Sequence, residues 1–154
     1  MHTPLLIVHI AAGTAGLVLG PVGLAVTDRF AWQPRVVALY QASVVLLCFT
    51  ALGLVILKPQ LWGLALIAVA TLGAVVGAWV VRRRRRPGWA SRHVRLMGGS
   101  YISLATAFLV VNVGGPVAWV LPSLVGSPLI ARAVRRARRG ATGPADDAMA
   151  GLRR

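Results

Sequence analysis

The sequence predicts an all-α polytopic membrane protein, a compact bundle of five transmembrane helices with its N-terminus outside and its C-terminus inside. Three observations carry this expectation. The chain holds charge-free apolar runs long enough, at about 1.5 Å per residue, to cross a hydrocarbon core roughly 30 Å thick. Five consecutive arginines, Arg82, Arg83, Arg84, Arg85 and Arg86, stand between two of those runs, where guanidinium groups belong in water or among lipid headgroups. Basic residues also fall almost wholly on one side of a five-crossing path, as cytoplasmic loops require.

Taken in order, the first apolar run is Leu5–Thr27. The residues ahead of it carry no positively charged cluster and the run exceeds the apolar segment of a cleaved signal peptide, so it reads as a retained first span. Asp28–Arg35 combines charges, Pro34 and two aromatics in a short interfacial loop. Val36–Leu57 is the second span, and Lys58-Pro59-Gln60 turns the chain tightly into a third, Leu61–Val81. Trp62 and Trp79 sit near the ends of that third span, the spacing of interfacial anchors.

Leu96–Val134 is too long for one crossing and Gly114-Gly115-Pro116 interrupts it, so it divides into Leu96–Val113 and Val117–Val134. Pro122 and Pro128 are expected to kink the last span or open its backbone. Residues 1–139 then form one transmembrane domain, and 140–154, with Gly140, Gly143 and Pro144, are expected to be a disordered cytoplasmic tail. In this topology Lys58 alone of the 17 basic residues lies outside. A four-span path would carry the basic tail outside, against the charge rule.

Composition agrees. With 57% hydrophobic and 13% charged residues, the chain holds more apolar surface than a small soluble domain could enclose. A formal net charge of +14 would ordinarily suggest nucleic acid. Here the arginines collect where spans end, so the expected partners are membrane lipids with anionic headgroups at the cytoplasmic face, and no nucleic acid. Arg82–Arg86 reads first as an anchor, with a specific anionic-lipid site as the alternative. The lone Cys48 allows no internal disulfide and reads as small apolar packing.

Helices in lipid associate through close backbone approach and interhelical hydrogen bonds. Gly13, Gly16 and Gly20, with Gly23, make a small-residue stripe on span one, and Gly73 and Gly77 repeat it on span three. Tight helix contact is the expected use; a groove for a ligand or lipid is the alternative.

Polar side chains at membrane depth are costly, and each is a functional hypothesis. His9 and Asn112 form the candidate outer site. Tyr40, Gln41, His93, Arg95, Met97, Ser100 and Tyr101 form a candidate inner wall, because His93, Met97, Ser100 and Tyr101 recur at i, i+4, i+7 and i+8 on one helix face. His9 suits an interhelical hydrogen bond, a proton relay or ligation of haem iron. His93 lies some ~25 Å away at the opposite face by span-length arithmetic. One iron therefore cannot take both, and haem b would need His9 from two copies of the chain. No metal site is predicted. The sequence has no glutamate, no acid within a span and no nucleophile paired with a base, so a catalytic role is not expected.

Several of these residues together resemble a known family. His93-x-Arg95-x-Met97-x-x-Ser100-Tyr101 entering a span, His9-Ile10-x-x-Gly13 followed by Gly20-Pro21, and Trp119-x-x-Pro122 running into a basic tail look like the bacterial membrane proteins grouped as domain of unknown function 2306. The resemblance spans roughly Pro4 to Arg139. It departs from the family's pattern where Gln33-Pro34 replaces a His-Arg pair ahead of Tyr40, and where Gly99 replaces an arginine before Ser100-Tyr101. It implies a compact multi-span helical protein of the bacterial cytoplasmic membrane, with no established activity. The functional expectation is thus a structural or accessory membrane component, alone, as a homodimer or in a larger complex. A haem- or quinone-binding redox protein and a small-solute or ion carrier are the alternatives.

Overall fold

In a computed structural model, which describes the backbone of residues 3–25, 33–58, 60 and 62–151 and the side chains of residues 3–23, 34–58, 60 and 62–138, the chain is helical. Its helices are α1 (Thr3–Ala25), α2 (Gln33–Leu57), α3 (Trp62–Arg84), α4 (Trp89–Asn112) and α5 (Gly115–Gly151). Each contains a stretch long and apolar enough to cross a membrane, from Thr3–Gly23 in α1 to Gly115–Arg138 in α5. Most of the expected loop at Asp28–Arg35 lies outside the described residues.

The break between α4 and α5 follows from local chemistry. Gly114 and Gly115 take φ of 69° and 75°, a region that side chains with a Cβ avoid. The N–H groups of Val113 and Gly114 both return to the Leu109 carbonyl, closing the helix end. Pro116 then fits the first turn of α5, where its missing N–H costs nothing. Helix runs continuously through Pro122 and Pro128. Nor does helix stop at the expected tail boundary: α5 continues through residue 140 to Gly151, along an alanine-rich segment.

Between α3 and α4 the chain turns more tightly than expected, because α4 begins at Trp89 rather than Leu96. Arg85 at φ 41° and Gly88 at φ 75° make the corner. Arg82, Arg83 and Arg84 close α3, where positive charge meets the negative end of the helix dipole. The Arg83 guanidinium lies 4.4 Å from the Trp79 ring and that of Arg85 lies 5.6 Å from the Trp89 ring. These cation–π contacts hold part of the arginine run against aromatic flanks.

Consecutive helices pack antiparallel, and α1 also meets α4, so α1 to α4 close into a four-helix unit. Its nucleus is Tyr40, Val44 and Cys48 of α2 with Val75 of α3 and Leu104 of α4. Cys48 is the small apolar filler that its position suggests. Among the described residues α5 packs on α4 alone.

Glycines set how closely these helices approach. A Cβ at Gly16 would stand 3.0 Å from Leu104 Cδ2, and one at Gly13 would stand 3.3 Å from Leu47 Cδ1. Gly77 faces Leu96 at an ordinary 3.5 Å, whereas at Gly73 nothing lies within 4 Å. Gly73 is therefore no packing seam: it sits on the outer side of α3. The tightest seam joins α4 and α5, where a Cβ at Gly98 would fall 2.5 Å from Ile130 Cγ1 and one at Gly126 would fall 2.5 Å from Ile102 Cγ1. Each helix thus offers a glycine hole and, four residues on, an isoleucine knob to the other.

Candidate functional site

Antiparallel packing gathers the C-terminal half of α1, the N-terminal halves of α2 and α4, and the C-terminal ends of α3 and α5 at one end of the molecule. Lys58 and the α4–α5 turn lie at the other. The polar residues separate along the same axis.

At the end opposite the arginines, His9 of α1 meets Thr50 of α2, with Nδ1 3.0 Å from Oγ1. Thr50 has a single hydroxyl proton, and Oγ1 lies 3.0 Å from the Leu46 carbonyl and 2.9 Å from that of Leu47. Carbonyls only accept, so the threonine proton goes to its own helix and His9 Nδ1–H donates to Oγ1. Nε2 is left as the unprotonated ring nitrogen. Asn112, expected beside His9, donates instead to the Phe108 carbonyl of its own helix. The outer pair is in fact His9–Thr50.

At the arginine end the expected wall divides. His93 Nδ1 lies 3.0 Å from the Ala78 carbonyl of α3, which fixes Nδ1–H as the donor. Ser100 Oγ donates to the Met97 carbonyl at 2.7 Å, so the buried Tyr40 hydroxyl, 2.9 Å away, donates to Ser100. Gln41 Nε2 reaches Met97 Sδ at 3.6 Å, a weak contact. Arg95 does not join them: two residues beyond His93 is about 200° around a helix, which turns it toward α5. It lines a groove between α4 and α5.

Tyr101 has a role that the sequence reading missed. Pro21 lies inside α1 and has no N–H, so the Leu17 carbonyl four residues earlier loses its helical partner. Tyr101 Oη donates to that Leu17 carbonyl at 3.3 Å. Its ring lies where a Cβ on Gly20 would be. Gly20, Pro21 and Tyr101 therefore form one unit: the proline frees an acceptor, the tyrosine fills it, and the glycine lets the ring approach. Such repair matters in an apolar setting, where no water is present to do it.

Beside this unit lies a cavity of about 110 Å³, lined by residues including Gly20, Tyr40, His93, Met97 and Tyr101. That is roughly the liquid volume of three or four waters. His9 lies 11 residues from Gly20, about 16 Å along α1 at the helical rise, so the two histidines serve different sites. No cluster of three or more His, Cys, Asp or Glu suited to a metal ion occurs among the described residues.

No family model, no curated protein and no solved structure matches the chain.

Proposed function

We propose that this chain is an accessory integral membrane protein of the bacterial cytoplasmic membrane, with five spans, its N-terminus outside and its arginine end inside. The observation that supports it is outward-facing apolar bulk on every helix: Ile7, Phe49, Leu66, Val111 and Leu124 are all more than half exposed. A soluble molecule could not leave so much large apolar surface in water without associating. The inward orientation rests on the arginines collected at one end, and the bacterial setting on the resemblance to domain of unknown function 2306. Polar side chains within the bundle bond mainly to one another or to backbone carbonyls, which suits a scaffold. A cytoplasm-only reporter fused after Arg138 should be active, and one inserted at Lys58 silent. The reverse pattern overturns the orientation.

The His93 cavity favours a second reading, a redox role in which a small ring such as a quinone head docks beside His93 and Tyr40. Purified protein would then carry a reducible absorbance band that is lost in His93→Ala. Protein without any such band removes this reading.

A further inference from the structure

The groove between α4 and α5 holds about 460 Å³ and takes residues from both helices. From α4 come Arg95 and Gly99, one turn apart; from α5 come two adjacent i+4 rows, Ser127, Ala131 and Arg135 beside Ile130, Val134 and Arg138. Gly99, Ser127 and Ala131 keep part of the floor small, and a Cβ on Gly99 would meet nothing within 4 Å. Backbone is therefore reachable in a groove to which α4 contributes Arg95 and α5 contributes Arg135 and Arg138.

Charge decides what such a groove takes. The sequence places no carboxylate anywhere between Asp28 and Asp146. Asp146 is 11 residues beyond Arg135, about 16 Å further along a helix at the usual rise. Arg95 and Arg135 share this concavity with no carboxylate among the described side chains, so they repel, and an anion between them lowers the repulsion. Guanidinium groups match phosphate oxygens in pairs of parallel hydrogen bonds.

We propose that this groove binds the phosphate headgroup of an anionic membrane lipid, with Arg95 and Arg135 as the two clamps and Gly99, Ser127 and Ala131 as the floor. A lipid is favoured over free phosphate because Gly99, Ser127 and Ala131 lie within the apolar spans of α4 and α5. Leu124, one turn before Ser127 on α5 and 70% exposed, offers an apolar track for an acyl chain leading from the groove. The site is distinct from the arginine run at Arg82–Arg86, which is exposed over most of its length and lines no part of the groove. The proposal rests on the reading of the chain as membrane-embedded.

The test uses the full chain in nanodiscs of zwitterionic phosphatidylcholine doped with phosphatidylglycerol or with the two-phosphate lipid cardiolipin, with retained lipid counted by native mass spectrometry. An Arg95→Gln/Arg135→Gln double variant should lose affinity roughly thirtyfold, about fivefold per guanidinium. Arg83→Gln/Arg84→Gln should change it less than about twofold, because those side chains line no part of the groove. Gly99→Leu fills the groove without changing its charge, its Cβ meeting nothing within 4 Å, and should abolish retention while the melting temperature stays put. Equal losses from the loop and groove variants overturn the proposal, and so does normal retention by Gly99→Leu. Displacement by inorganic phosphate at the concentration that displaces lipid overturns the lipid assignment. A chain that will not enter nanodiscs overturns the membrane reading as well, whereas one that enters and fails the variant tests overturns this site alone.

Discussion

Replacing Gly20 with valine is expected to destabilise the bundle by roughly 3 kcal/mol, at the upper end of what overpacking costs. The first added carbon would already overlap the ring of Tyr101. That ring cannot swing aside freely, since its hydroxyl is bonded to the Leu17 carbonyl. The small helix-propensity gain on leaving glycine, below about 1 kcal/mol, does not offset such a clash. Gly73→Val is the matched control, because the same carbon there meets nothing within 4 Å and should cost less than about 1 kcal/mol. Denaturation of the two purified variants in the same detergent reads the difference. Equal midpoints would mean that Tyr101 does not occupy the Gly20 hollow.

Tyr101→Phe is the second expected result, with a loss of about 1–3 kcal/mol from leaving the half-buried Leu17 carbonyl without a donor. The informative measurement is its coupling to Pro21. Pro21→Ala returns a backbone N–H to the position that bonds Leu17, so the tyrosine hydroxyl becomes redundant. In the alanine background Tyr101→Phe should cost about 1 kcal/mol less than in the parent, a coupling a double-mutant cycle resolves. Additive losses would show that hydroxyl and proline act independently.

Local chemistry made the helix count legible. Charge-free runs, the arginine corner and Gly114-Gly115-Pro116 each have a physical reading that needs no partner. Helix ends were less legible: α4 starts at Trp89 because Trp89–Arg95 is amphipathic and continues the helix beyond its apolar part. Contacts across helices depend on register, which composition does not supply. The sequence sets His9 beside Asn112, and only the alignment of α1 and α2, with Gly13 opposite Leu47, brings Thr50 to it. Gly98 and Gly126 were passed over because neither belongs to a glycine repeat. A readable signal was present all the same, since Gly98-x-x-x-Ile102 and Gly126-x-x-x-Ile130 are the same pattern on adjacent helices. Arg95 was misassigned because adjacency along the chain was taken for a shared face.

The attachment of α5 to α4 alone bears on the order in which the chain assembles. Every residue of the nucleus, Tyr40, Val44, Cys48, Val75 and Leu104, precedes Gly115 in the chain and none belongs to α5. The first four helices can settle as a unit before the fifth docks, and its arrival closes only the outer seam. Assembly can thus proceed in two stages, and an insertion factor that delays the last helix would leave a stable intermediate rather than an unfolded one.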